Sequence, residues 1–323
     1  MSEELTWGFP VISYLFLAGL GAGAGTVGAS MLLRGGNIVD GRLAGEGRAR
    51  FDIARCGAFV APVAVILGVL MLIFELGSFE VGNYFRFLRL FTTINLSPMS
   101  LGSWLLVFFI IASLLNAYTY LSPTCGPGDN KAGLRNALAW ILVPLGIGVA
   151  VYTGILLGAM PARPFWNSPI LAMLFLLSAL STGVAVIILM KSLFTAGSGD
   201  AGDDDAAEYL LTATDMMFIG FEVLVVFLFI MYAHLTIGNV KSAVDVVMGG
   251  DLTAPFWLGV VLIGLILPAL VELRYVVPAL VYQHRYTIPR NVKMLVSVVV
   301  LVGGFMLRYV MVVAGQVTGA NGI

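Results

Sequence analysis

The chain has 323 residues, of which 59% are apolar and only 11% charged, with 17 Lys and Arg against 18 Asp and Glu for a net charge of -1. Soluble domains carry about 25% charged residues, so a mean hydropathy of +0.99 means that lipid is the solvent for most of this chain. No dense basic cluster is present to hold phosphates, which excludes a nucleic-acid partner.

Met1 to Thr6 contains Glu3 and Glu4 and no Lys or Arg, so it lacks the positive region of a secretory signal, and the first apolar run is expected to be retained as a helix. A bilayer core of about 30 Å takes about 20 apolar residues per helix. Eight such runs follow in chain order. The first, Pro10 to Leu33, leads into a Gly- and Arg-rich stretch, Arg34 to Arg55, read as a loop. The second, Gly57 to Leu76, closes on Glu75. The third, Pro98 to Leu121, gives way to the turn sequence SPTCGPGD of Ser122 to Asp129. Asn136 to Ala159 and Ser168 to Met190 form the fourth and fifth, after which GSGDAGDDD, Gly197 to Asp205, is the best candidate for a flexible loop. Leu211 to Leu235, Pro255 to Val277 and Asn291 to Val313 complete the set. The expected fold class is an all-α integral membrane protein with about eight transmembrane helices.

Pro10 is followed five residues later by Leu15-Phe16-Leu17, and Pro169 by Leu174-Phe175-Leu176. Four helices separate the two, so a repeat of this kind would be parallel and would give two four-helix bundles, residues 1–159 and 160–323. Orientation follows from the basic residues flanking the spans. Loops after the odd spans hold Arg34, Arg42, Arg48, Arg50, Arg55, Lys131, Arg135, Lys191, Arg285, Arg290 and Lys293, whereas the other side holds only Arg86, Arg89, Arg163 and Lys241. The excess places the odd loops in the cytoplasm and both termini outside.

A b-type haem needs axial ligands, usually paired His residues at matched depth. The chain has two His in all, His234 at the outer end of the sixth span and His284 past the inner end of the seventh, roughly a bilayer apart at the 1.5 Å rise per residue. They cannot share one haem. Cys56 and Cys125 are isolated, so neither an iron–sulfur cluster nor structural zinc is expected. Any redox role must therefore use a diffusible partner, and in a membrane that partner is quinone.

Ionisable side chains within a span are costly, and each is a functional candidate. Glu75 at the outer end of the second span, Tyr152 in the outer half of the fourth and Tyr14 one turn inside the first gather at one depth if these helices share a bundle. An apolar slot with a few donors and one proton-passing group is what a quinone headgroup requires; interfacial anchoring of the same residues is the alternative. The remaining charges form a ladder by depth. Asp215, Glu272 and Arg274 lie near the inner side, Glu222 near the midplane and Arg308 toward the outer side. They read either as a proton path or as structural ion pairs such as Asp215 with Arg274.

Four stretches in order carry a family resemblance: Tyr14 to Gly23; Glu75-Leu76-Gly77 followed by Ser97 to Trp104; Tyr152 to Leu157 followed by Pro164 to Pro169; and Leu307-Arg308-Tyr309 near Ala314-Gly315-Gln316. With these the chain resembles the NrfD family, the membrane anchors of polysulfide reductase and related molybdenum or multihaem enzymes. The resemblance implies a haem-free subunit of a prokaryotic inner membrane that binds menaquinone or ubiquinone near the extracytoplasmic face. It also implies a ferredoxin-like partner with 4Fe-4S clusters and, beyond it, a molybdenum or multihaem catalytic subunit. The family's acidic residue before Leu-Gly falls on Glu75 and its Tyr-Thr-Gly on Tyr152, while Trp166 and Asn167 become rim residues of the pocket. Some relatives carry His or Asn in the outer part of the first helix; this sequence has neither there, and Tyr14 is the group available to substitute. A channel or secondary transporter without redox chemistry would use the same buried carboxylates, and a purely structural anchor would use none of them.

Overall fold

The computed structural model describes residues 7–36, 44–75, 98–122, 126–194, 201–236, 239–282 and 288–318, and all the regular structure among them is helical. The helices are α1 (Phe9–Met31), α2 (Ala44–Glu75), α3 (Pro98–Thr119), α4 (Ala132–Gly158), α5 (Ile170–Phe194), α6 (Ala201–Leu235), the short α7 (Asn239–Met248), α8 and α9 (Arg290–Val317); α8 joins a π-helical half, Pro255–Ile266, to an α-helical half, Leu267–Tyr282. All but α7 are long and apolar enough to cross a membrane, eight candidate spans among the described residues. The chain is a multi-pass, all-α membrane protein. Successive spans run in opposite directions, so the start of α1 and the end of α9 share one side, the terminal face; the other side is the far face.

α1 is the centre of the fold. Of its most apolar window 83% is buried inside the protein, against 28% for α6, because α2, α4, α5 and α9 all pack on it. Its run of small residues permits this. A Cβ at Gly23 would land on the Ala179 carbonyl of α5, and one at Gly183 would land on the backbone of Gly23 and Ala24. Gly28 and Gly57 meet in the same way between α1 and α2. Lipid gives no hydrophobic reward for helix association, so backbones brought this close gain the dispersion contacts that hold the helices together. α1, α2, α3 and α4 pack among themselves, as do α5, α6, α8 and α9, and the two sets meet along α1–α5, α4–α5 and α2–α6.

Two expectations need correction, and one element was not anticipated. The Gly- and Arg-rich stretch is not loop throughout, since α2 begins at Ala44, well before Gly57; Ala49, Phe51, Ile53 and Ala54 bury against neighbouring helices and carry the helix beyond the bilayer-length apolar run. The proposed flexible loop gives way to helix at Ala201, because Ala207 and Leu211 pack into the same cluster as Ile53 and Ile187. Between α6 and α8 the sequence contains an amphipathic helix, α7, that buries Ala243, Val244 and Val247 and exposes Lys241, Ser242 and Asp245. Its apolar residues recur at i, i+3, i+4 and i+7, but its ten residues are too few to cross a bilayer.

At the far face a turn is locked by a buried cation. Arg135 is fully buried, bonds Asp129 and the Gly126 carbonyl at 3.1 Å, and lies over the rings of Phe51 and Tyr120. A guanidinium desolvated this completely is tolerable only with charge-paired and π partners.

Candidate functional site

Tyr14 and Tyr152 meet near the terminal face. α1 enters with Gly8 as its N-cap and Pro10 in its first turn, where the missing proline N–H costs nothing, and Tyr14 follows on the side facing α4. Its side chain is fully buried. The Tyr152 ring is half-buried and lies across Gly102 of α3, where any side chain would overlap it. The two hydroxyls face each other, but not at the distance and angle of an ordinary hydrogen bond, and the Tyr14 Oη has no other partner. A buried phenol without a partner costs about 1–3 kcal/mol, so this is an arrangement that a third group, with its own donor or acceptor, would complete.

Glu75 is the last residue of α2, seven residues beyond Gly68, which lies against the Tyr14 carbonyl. It therefore ends at the terminal face on the helix that supports Tyr14. The Glu75 side chain and the segment after it, which includes Leu76 and Gly77, lie outside the described residues, as do His284 and Cys125.

Trp166 and Asn167 are placed differently from the tyrosine pair. The Trp166 indole is buried, stacks on Trp7 with ring centroids 5.2 Å apart, and donates from Nε1 to the Met311 carbonyl at 2.6 Å. Gly315 leaves the space that the ring occupies. Gln316 accepts from the Trp7 amide at 2.8 Å and donates to the Trp7 carbonyl at 2.9 Å, and Arg163 donates to the Gln316 carbonyl at 2.6 Å. Trp166 thus ties the α4–α5 connection to the end of α9 and to the segment before α1, while Asn167 is exposed.

The membrane-embedded charges assemble within the second set of helices. Asp215 of α6 accepts a hydrogen bond from Ser181 of α5 at 2.8 Å and lies beside Glu272 of α8. Arg308 of α9 bonds the Ser178 hydroxyl, the Gly304 carbonyl at 3.1 Å and the Phe175 carbonyl at 3.4 Å, over the Phe175 ring. Glu222 of α6 faces Ser178 and Arg308 without a direct ion pair. The pairing of Asp215 with Arg274 is not formed: Arg274 is exposed on the opposite side of α8 from Glu272. Two residues of separation turn a side chain by about 200° on a helix, so both cannot face α6. The serines of α5 that organise this region were not singled out from sequence. Their signal was a polar row, Ser178, Ser181 and Thr182, inside an otherwise apolar span.

Comparison with known proteins identifies a family. The family model described as polysulphide reductase, NrfD, matches residues 1–320. The chain is 31% identical to the C polypeptide of polysulfide reductase from Wolinella succinogenes, over 97% of this chain and 95% of that one. It is 30% identical to protein NrfD of Escherichia coli K12, over 98% and 97%. The C polypeptide of selenate reductase from Mesobacillus selenatarsenatis is 23% identical over 84% of this chain and 67% of its own length. With eight spans in order and a match that omits only its last three residues, the chain belongs to the polysulphide reductase NrfD family.

Proposed function

We propose that this chain is the haem-free, quinone-reacting membrane subunit of a multisubunit respiratory oxidoreductase, exchanging electrons between the quinone pool and an iron–sulfur partner subunit. The observation that carries the reading is the unpartnered, fully buried Tyr14 hydroxyl set beside the half-buried Tyr152 hydroxyl. A quinone carbonyl is an acceptor of the right polarity to complete the pair, delivered from lipid into apolar surroundings. Family membership and the reductase names of two relatives support the same class.

In this reading Tyr152 and Tyr14 orient the ring of menaquinone or ubiquinone by donating to its oxygens, and Glu75 passes protons at the terminal-face end of α2. Reduction takes two electrons from the partner and two protons to the ring oxygens, and oxidation returns both. Residues 1–159 carry this site. The partners are a ferredoxin-like 4Fe-4S subunit and, beyond it, a molybdenum or multihaem catalytic subunit, met at an extracytoplasmic terminal face of a prokaryotic inner membrane.

A photoreactive azidoquinone added to membranes containing the complex should label α1 and α4 peptides around Tyr14 and Tyr152, with labelling reduced by excess menaquinone or ubiquinone. Competed labelling confined to other helices would overturn the site. Orientation has its own check. Alkaline phosphatase fused after Ile323 should be active and a cytoplasm-dependent reporter there silent, whereas the reverse pattern would put the quinone site on the cytoplasmic side.

A further inference from the structure

The side of α8 that turns away from α6 carries exposed residues at steps of three and four, Leu267, Leu270, Arg274, Val277 and Val281. Such steps trace one stripe of a helix. Glu272 and Val276 occupy the opposite side and are buried. Leu270 is 60% exposed and Val281 62%, so the stripe is apolar on both sides of Arg274. Because the whole stripe lies in a candidate span, its solvent is lipid. Asp215, Glu222, Glu272 and Arg308, by contrast, are all buried inside the protein. An ionisable side chain in a span almost always faces the protein interior or water, and pairs with something there. Arg274 faces outward and has no hydrogen-bond or ion-pair partner among the described residues.

Its depth follows from the neighbouring helices. Glu208 of α6 pairs with Lys191 of α5 at 3.2 Å and with Lys293 of α9, and these charges mark the membrane boundary at the far face. Asp215 lies seven residues, about 10 Å, inward of Glu208 along α6 and is level with Glu272 of α8. Arg274 is two residues, about 3 Å, nearer the far face than Glu272, which leaves it about 7 Å inside the charged boundary. An extended arginine side chain can carry its guanidinium across that distance while its stem stays in apolar surroundings. The group is then at headgroup level on the side that holds most of the chain's basic residues, where anionic lipid is attracted. A second copy of this chain would be a poor partner, because the described carboxylates at this level, Asp215 and Glu272, are buried.

We propose that the outer stripe of α8 is a binding site for an anionic phospholipid of the far-face leaflet, with Arg274 holding the phosphate and Leu270 and Leu267 receiving an acyl chain. A guanidinium matches phosphate oxygens with two parallel N–H donors and is weakly hydrated, so it suits a contact at the edge of the hydrocarbon. A zwitterionic lipid carries its own cation beside the phosphate and gains less from Arg274. The acyl chain descends from the headgroup toward the midplane, the direction in which Leu270 and Leu267 follow Arg274 on the exposed stripe. The site shares no residue with the quinone reading and does not depend on it.

The test titrates the full chain in detergent with phosphatidylglycerol or phosphatidylcholine and counts bound lipid by native mass spectrometry. The native chain should retain one phosphatidylglycerol in preference to phosphatidylcholine. Arg274→Gln should weaken phosphatidylglycerol binding by roughly tenfold, as loss of a charge-assisted hydrogen bond does, and should erase the preference. Arg290→Gln is the matched control, removing the same charge from an exposed position at the far-face start of α9, and should change neither. Equal binding of the two lipids by the native chain overturns the proposal, and so does an Arg290→Gln effect as large as that of Arg274→Gln, which would mean diffuse surface charge. A second arm works in native membranes. Leu270→p-benzoylphenylalanine, irradiated there, should give an adduct of phospholipid mass. A crosslink to a polypeptide instead would mean that a partner helix covers the stripe, and would also overturn the site.

Discussion

Glu75→Gln should leave the complex assembled and abolish most quinone-linked turnover, because an amide can donate a hydrogen bond but cannot relay a proton. Tyr152→Phe should act differently, weakening quinone binding by one hydrogen bond, about 1 to 2 kcal/mol or roughly five- to thirtyfold. The two effects should be non-additive, since both residues act on one headgroup. Tyr14→Phe supplies a third signature. Its hydroxyl is buried and unpartnered in the free chain, so removing it should raise the melting temperature slightly while weakening quinone binding. A group that costs stability and serves the ligand behaves in this way. Steady-state turnover with a soluble quinol analogue, together with reduction of the partner subunits by an artificial donor, places the defect: donor-driven electron transfer should survive in all three. Wild-type quinone turnover in assembled Glu75→Gln would make Glu75 an interfacial anchor only.

Gly23→Leu should prevent the chain from folding in the membrane. At the α1–α5 crossing the obstruction is backbone on both sides, the Ala179 carbonyl against Gly23 and the Gly23–Ala24 peptide against Gly183. Overpacking a core costs typically about 1–3 kcal/mol where side chains can shift, and here no flexible side chain is available to yield. The two helices would have to separate, and the helices of both sets pack across that seam. Gly220→Ala is the matched control. Nothing lies within 4 Å of a Cβ there, and in the middle of α6 the change should stabilise the helix by about 0.5–1 kcal/mol. Thermal melts followed by size-exclusion in detergent should show no folded peak for Gly23→Leu and a slightly raised midpoint for Gly220→Ala. A well-folded Gly23→Leu chain would mean that the crossing is looser than the structure shows.

Tyr14 and Tyr152 could be paired in advance because depth in a bilayer is readable from sequence. Each span crosses a slab of fixed thickness, so distance from a span's end is nearly a coordinate, and two groups at one depth on helices of one bundle have few places to be. The ladder of charges was legible for the same reason. Depth says nothing about rotation, however, and rotation decided the partners: Arg274 shares a level with Asp215 but points away from it, while Ser181 and Glu272 face it. Trp166 shows the same limit. Its place in a terminal-face loop was plain, but its burial against Gly315 and Met311 depends on where α9 ends beside α4.

Composition and apolar run length determined by themselves that this chain spans a membrane about eight times with helices, because a backbone in lipid has to satisfy its own hydrogen bonds and a bilayer sets the length that does so. The order of the family's stretches was likewise complete in the sequence. Tertiary structure alone decided that α1 is the central helix, that Arg308 stands with Ser178 and Glu222, and that Asp215 faces Ser181 and Glu272. These outcomes depend on which helix faces meet, and in a chain whose spans are apolar on every side the pattern of hydrophobicity does not say which face is inside. Glycines and serines say it instead, and only when their partners across the interface are known.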